Sequence, residues 1–227
     1  VLSSLLKPWP YETIYIPFAI LSSIARLTIA YLFALSWTLP LALWVEKNPH
    51  ILGIALPLSE IGASIPATAL FPFILLFVID LPGGTNLASI ILVLTGMQWY
   101  LLFNLLAGVS SIPSDIKEAA YSLGLNRTLY WRKILIPAIF PSFVTGSITA
   151  WGGGWNALII SEYFVYKDKG YSVFGIGSML DEATYVHGDT TMLIICLIAM
   201  VCTIILLNRF FWRKLYEYSI ERFRLEY

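Results

Sequence analysis

Apolar residues in this chain fall in long runs, and the charges sit between them. A helix needs about 20 apolar residues to cross a bilayer. A charge at the bilayer centre costs on the order of 3 kcal/mol on insertion scales, so charges should fence the spans. Read this way, the pattern predicts about five membrane helices, at residues 27–45, 61–79, 87–109, 138–160 and 190–207. Glu46 and Lys47 close the first. Asp80 and the turn Pro82-Gly83-Gly84 close the second, which Pro66 and Pro72 should kink. Pro141 falls in the first turn of the fourth. The predicted fold class is all-α integral membrane. Residues 1–26 read as an N-terminal extracellular or interfacial segment, broken by Lys7-Pro8-Trp9-Pro10-Tyr11-Glu12. Residues 27–208 read as the membrane domain, with a polar loop at 111–137, and residues 209–227 as a tail.

Composition agrees with the pattern. Hydrophobic residues make up 58% and charged residues 12%, with a mean hydropathy of +0.77; soluble domains carry about twice that charge. The formal net charge is zero, so bulk charge points to no nucleic-acid partner. Cys196 and Cys202 stand six apart in one apolar run and read as packed thiols rather than a disulfide. The chain opens on Val1 with no basic segment and no small-residue cleavage site after a short apolar core. It reads as a trimmed chain or a segment of a longer one, not as one opening on a signal peptide.

Basic residues set the expected orientation. The 111–137 loop holds Lys117, Arg127, Arg132 and Lys133, and the tail holds Arg209, Arg213, Lys214, Arg222 and Arg224. Alternating spans put both on one side, expected to be cytoplasmic. The other side holds Lys7, Lys167 and Lys169, with Glu162, Asp168, Asp181, Glu182 and Asp189 in the loop Ser161–Asp189. The N-terminus would lie outside. The sequon Asn126-Arg127-Thr128 would lie in the cytoplasm and stay unmodified.

The polar loop looks folded. Asp115 and Glu118 have capping-box spacing. Ile116, Ala119, Ala120 and Leu123 should share one helix face, and Lys117, Glu118, Tyr121 and Ser122 the other. Gly124 should end that helix, and Asn126 should cap a second running to Pro137. Periodicity alone leaves two readings open, an amphipathic loop on lipid headgroups and a docking surface for another protein.

The spacing favours the second. Glu118-Ala119-Ala120, three residues, Gly124, nine residues, then Ile134-Leu135-Ile136-Pro137 resembles the EAA motif of ABC-transporter permeases, the binding-protein-dependent type I importers. Ile136 stands where the pattern has Leu. The stretches "IPATALFPFILLFV" and "PAIFPSFVTGSITAWGGGWNALIISEYF" are similar to the nitrate, sulfonate, taurine and bicarbonate branch. The similarity covers roughly Ser22 to Asn208. Members of that branch usually have one more span before the first predicted here, and the tail from Asn208 is longer than the branch leads one to expect. Some relatives fuse two permease halves.

The resemblance implies a coupling helix seated in a groove of an ATPase. Asp115, Glu118, Ala119, Ala120, Gly124, Ile134 and Pro137 would form the coupling set. Glu118 would meet a basic or polar group of the ATPase, cap its own helix, or do both. The implied partners are ABC ATPase subunits in two copies, a second permease half (identical, homologous or fused), an extracellular solute-binding protein, and membrane lipid. The implied location is the plasma membrane. ATP-Mg would sit on the partner ATPase, with no cofactor on this chain.

The residues say the same of energy and chemistry. No Gly-Lys pair occurs, so the chain has no P-loop. His50 and His187 are the only histidines and fall on opposite sides of the expected topology. No metal-ligand spacing and no Gly-x-Ser-x-Gly frame is present. The expectation is a permease, not an enzyme. Polar residues in spans mark a path or a helix contact; here they are Gln98, Asn104, Thr145, Thr149, Trp155 and Asn156. Gln98 and Asn104 do not share a face well. The glycines of Trp151-Gly152-Gly153-Gly154-Trp155-Asn156 should admit a neighbouring helix or let span four bend. Arg26 should snorkel to the outer interface, or less simply attract anions at the mouth. Glu60 and Asp80 read as span ends. The expected substrate is a small anion such as nitrate, sulfonate or taurine. Another solute (sugar, amino acid or peptide) and a non-transporting scaffold are the alternatives.

Overall fold

A computed structural model describes residues 10–166 and 169–223. The first half of the N-terminal breaker, with Lys7, and also Lys167, Asp168, Arg224 and the side chain of Lys169 lie outside the described residues.

The first helix is longer than the charge fence implies. A 3-10 turn, Tyr11–Tyr15, runs straight into α1, Ile16–Val45. Pro17 sits in its first turn, where a missing N–H costs nothing. Arg26 does not end the helix because its charge is buried and paired. About half of the stretch expected to lie at the interface is therefore helix continuous with the first span.

The second predicted span is two helices. α2, Pro49–Ser64, and α3, Ala67–Val78, meet at an angle of 85°. The break is at Ile65-Pro66, both extended. Pro72, by contrast, stays inside α3. Glu60, expected at a span end, lies exposed in the fourth turn of α2, which starts twelve residues before the predicted boundary. Among the described residues four helices, Tyr11–Val45, Gly84–Ser110, Arg127–Glu162 and Thr190–Phe223, are long and apolar enough to cross a membrane, and the bent pair, taken as one span, would make a fifth.

α4, Gly84–Ser110, is the centre of the bundle. Its Leu92, Met97, Leu101, Leu105 and Leu106 are fully buried, and it packs on α1, α2, α3 and most extensively on α7, Ile136–Glu162. Small residues let α4 and α7 approach. A Cβ on Gly153 would strike the carbonyl of Gly96, one on Gly146 would lie 2.7 Å from Asn104 Cβ, and one on Gly108 2.6 Å from Ser142 Cβ. Without a hydrophobic drive between helices in lipid, such contact is what holds them together. Outward, Phe33, Phe73, Phe77, Leu197 and Ile198 are exposed, as a lipid-facing surface requires.

The polar insert is α5, Ser114–Ser122, followed by α6, Arg127–Tyr130. α6 does not stop at Pro137. A π turn, Trp131–Leu135, carries it into α7, making one helical run Arg127–Glu162. The Ile136 amide reaches Trp131 O, one residue further back than in an α-helix. This is the register shift a π turn introduces, and Pro137, which has no N–H to place, falls in the first turn of α7.

The far end of α7 opens into a hairpin that the polar loop did not announce. β1, Tyr163–Tyr166, pairs antiparallel with β2, Lys169–Ser172, and α8, Ile176–Asp181, follows. Phe164 stacks on Tyr171 at 5.4 Å and meets Phe71 of α3 edge-on at 4.9 Å. α9, Thr190–Leu207, begins at Asp189, whose Oδ1 accepts from Thr191 N at 2.9 Å and Met192 N at 3.2 Å. It continues through a further π turn, Asn208–Trp212, into α10, Arg213–Phe223. The predicted tail is thus, as far as Phe223, a helix continuous with the last span. It folds onto α7, where Phe140 meets Tyr218 and Phe223 at 6.5 and 5.1 Å. Cys196 and Cys202 are both free thiols.

Candidate docking surface and translocation face

α5 starts on Pro113, not on Asp115. Asp115 lies in the first turn and accepts a bond from Ser114 Oγ at 3.3 Å, so the expected capping box is absent. A carboxylate there still complements the helix dipole. Gly124 closes α5 as expected, at φ +64°, with Leu125 N bonded to Ala120 O at 3.2 Å and Gly124 N to Tyr121 O at 2.9 Å. Asn126 caps α6 through Leu129 N at 2.8 Å.

The faces of α5 differ from the periodic reading. Ala120 is buried and Ile116 half-buried, while Ala119 and Leu123 point outward. The reason is the seat. Ile112, Ile116, Ile134 and Pro137 line a cavity of about 290 Å³ shared with Arg222 and Phe223 of α10, and Ala120 lines another with Glu46, Lys117 and Tyr130. The outward face carries Glu118, Ala119, Tyr121 and Leu123, with Tyr121 87% and Leu123 76% exposed. Glu118 makes no hydrogen bond or ion pair among the described residues, so it does not cap its own helix. A bare tyrosine, a bare leucine and an unpaired carboxylate on one short helix form a surface suited to a partner.

The insert is tied down by residues the sequence reading used only as punctuation. Glu46, just past α1, is buried. Its Oε1 accepts from Tyr130 Oη at 2.9 Å and lies 3.6 Å from Lys117 Nζ. One carboxylate thus joins α1, α5 and α6. Its buried place beside two donors was not legible from a charge at the end of an apolar run.

The polar span residues divide. On α4, Gly96, Tyr100, Asn104 and Gly108 recur every four residues and face α7. Asn104 Nδ2 donates to Tyr100 O at 2.8 Å and reaches Thr149 Oγ1 at 3.4 Å. Thr145 donates to Pro141 O, Thr149 to Thr145 O and Gly146 O, and Asn156 to Gly152 O. Thr149, Gly152 and Asn156 are exposed on one face of α7. Gln98 stands about 200° round α4 from Gly96 and lies off this face, and Trp155 is buried on the other side of α7. The structure therefore brings Asn104, Thr145, Thr149 and Asn156 together and leaves Gln98 and Trp155 out.

This face leads to the break in the second span. Ser64, Pro66 and Thr68 at the bend, with Thr95, Tyr100 and Asn156, line a cavity of about 260 Å³. No ionisable carboxylate, lysine, arginine or histidine lines it. Irregular backbone at membrane depth is tolerated where it borders such a cavity. Of the three glycines at 152–154, Gly153 meets α4 and Gly154 meets Leu27 of α1 and Met97 of α4, while Gly152 has open space beside it.

Arg26, expected to snorkel outward, is the clearest correction. It is buried and bonds Glu162 Oε1 at 2.6 Å, Phe174 O at 2.7 Å and Asn86 Oδ1 at 3.2 Å. Glu162 is fully buried and also accepts from Ser23 Oγ at 2.6 Å and from Gly177 N at 2.8 Å. The expected topology put both charges on one side at span ends, and that was the available hint that they pair.

Comparison with known proteins decides the family. The sequence model described as "Binding-protein-dependent transport system inner membrane component" matches residues 38–214. The chain belongs to that family. Among relatives of this inner membrane component, the taurine transport system permease protein TauC of Escherichia coli is 24% identical over 79% of this chain and 62% of its own length. The nitrate import permease protein NrtB of Leptolyngbya laminosa is 26% identical over 83% and 64%. The bicarbonate transport system permease protein CmpB of Synechococcus elongatus is 29% identical over 54% and 42%. The chain thus spans somewhat under two thirds of the length of the first two relatives and under half of the third. The names match the branch that the sequence motifs resembled.

Proposed function

We propose that this chain is the membrane-spanning permease component of an ATP-driven importer, and not itself an enzyme. The observation that carries the proposal is the outward face of α5. It presents Glu118, Ala119, Tyr121 and Leu123 to solvent, is braced on α1 through Glu46, and is followed by a helix that runs without a stop into the membrane. An ATPase subunit seated there would move the Arg127–Glu162 run as a body. The face of Asn104, Thr145, Thr149 and Asn156, with the cavity at the second-span break, would line the path between two permease halves. Rocking of such packed helices is the physical form alternating access takes.

The α5 end would be cytoplasmic and the hairpin end outside, where a solute-binding protein would deliver substrate. ATP-Mg would remain on the ATPase. The cavity's lining, free of fixed charge, and the taurine, nitrate and bicarbonate in the relatives' names support a small oxyanion as substrate. A lining without lysine or arginine makes no deep trap for such an ion.

Extraction of the wild-type chain in mild detergent, followed by mass spectrometry, should recover a P-loop ATPase. Glu118→Arg should lose it while the chain stays inserted and folded. Retention of the ATPase by the variant, or its absence from the wild type, would overturn the reading.

A further inference from the structure

The densest buried polar cluster in the described chain lies far from α5, at the hairpin end. Glu162 is the last residue of α7. One of its oxygens takes bonds from Ser23 and Arg26 of α1, and the other takes the Gly177 amide of α8. Ser23 Oγ in turn accepts the Ile176 amide at 3.0 Å, and Phe174 O accepts from both Arg26 and Ser22. Glu162 also holds Val173 N through its own carbonyl at 2.9 Å. The backbone of Val173–Gly177 is thus held through four of its polar groups, and the Val173 and Ile176 side chains are buried. Phe174 keeps its ring half exposed while its carbonyl is bound. Glycine is required at 175 for space alone, because a Cβ there would run into the Glu162 carboxylate, and its φ of −177° suits any residue.

Stability does not explain the cluster. Two buried charges contribute little net stability over a well-packed apolar pair, and such pairs are better attested as devices that fix register. What this pair registers is specific. Glu162 ends the helical run that begins at Arg127, beside α5. At 1.5 Å per residue that run is about 54 Å long. The grip on Val173–Gly177 is therefore built on the far end of the element that carries the insert.

We infer that Glu162 and Arg26 are positioning residues that link the Val173–Gly177 segment to the insert, so that the exposure of this outer segment follows the nucleotide state of the ATPase at the opposite end. This rests on the importer reading. Displacement of α7 against α1 separates the carboxylate from Arg26 and Ser23, and the segment, bonded to α7 through the Val173 and Gly177 amides and to α1 through the Ile176 amide and the Phe174 carbonyl, cannot keep both sets of bonds.

The test uses the complex as extracted, chain plus co-purified ATPase, in nanodiscs. Hydrogen exchange of residues 173–178 is followed without nucleotide and after trapping with ATP and vanadate. The wild type should show a nucleotide-dependent difference of about tenfold in these amides, the size expected for one hydrogen bond to a charged group. Ser23→Ala, the milder variant, and Gly175→Ala should raise exchange in the nucleotide-free state and collapse the difference, with the ATPase still bound. A merely structural cluster would give faster exchange in both states with the difference preserved, and that result would overturn the inference. A wild type that holds its ATPase and shows no difference would overturn it while leaving the importer reading intact. A wild type with no ATPase would overturn both.

Discussion

Glu46 offers the sharpest test of how the insert is held. Its carboxylate is nearly closed to solvent, with 6% side-chain exposure, and it accepts the Tyr130 hydroxyl at 2.9 Å. A hydrogen bond to a buried charged acceptor contributes about 1.5–3 kcal/mol. The Lys117 contact is longer, at 3.6 Å, and the lysine is one third exposed, so it contributes less than about 1 kcal/mol. Glu46→Gln keeps an acceptor for Tyr130 and should cost about 1 kcal/mol or less, as should Lys117→Met. Tyr130→Phe should cost about 2 kcal/mol, and Glu46→Ala about 3 kcal/mol, since it removes both contacts. Because the insert has its own cap at Gly124 and Asn126, the loss should show as local opening rather than global unfolding. Two kcal/mol raises the open population about 30-fold. The assay is limited trypsin cleavage at Lys117, Arg127, Arg132 and Lys133 in the detergent-solubilised protein, under conditions where cleavage is slower than reclosing. Tyr130→Phe and Glu46→Ala should each speed cleavage, and the double variant should add little to Glu46→Ala. Unchanged cleavage in both single variants, or full additivity in the double, would show that Glu46 does not brace the insert.

Three further outcomes are expected. Gly153→Leu should lower the thermal midpoint sharply and Gly152→Ala should leave it within error, because a Cβ at 153 strikes the α4 backbone whereas one at 152 meets nothing within 4 Å; equal effects by thermal unfolding in detergent would refute the seam. Gly124→Ala should cost about 1 kcal/mol of local insert stability at its left-handed φ, read by hydrogen exchange of Leu123–Leu125. Burial pushes the Asp181 carboxyl, at the end of α8, up to about 6. Its folded value lies above the unfolded one of about 3.9, so the folded chain binds the proton more tightly and stability falls as pH rises from about 4 to 6. Asp181→Asn should therefore raise the thermal midpoint at pH 7.5 and not at pH 4.5; the opposite order would show that Asp181 is stabilised by its charge.

The run of apolar residues made the helices legible, and the Glu118-to-Pro137 spacing made the insert legible. Those signals are local, written in a single element. What escaped was written across elements. Arg26 reads as a fence until Glu162, 136 positions away, is placed beside it. Ala119 and Ala120 are both small residues of one motif, and the seat against Glu46, Lys117 and Tyr130 covers Ala120 and leaves Ala119 exposed. Of the two prolines expected to bend span two, Pro72 stays within α3 and Pro66 ends α2, because the residue before Pro66 is extended and the one before Pro72 is held in the helix. Asn104 and Gln98 were equally polar on paper, and the glycine seam on α4 sets which of them faces α7.

The grip on Val173–Gly177 has a consequence for how such chains diverge. The backbone there is held through a carbonyl and three amides, and the further demands are the buried Val173 and Ile176 side chains and space for glycine at 175 and 177. The residues that face outward, Phe174 among them, are left out of those demands. The outer segment can therefore exchange its surface chemistry over generations while its anchor to α1 and α7 stays fixed. Drift in what the segment meets is separated from drift in how it is held, so a new partner can be accommodated without rebuilding the membrane core.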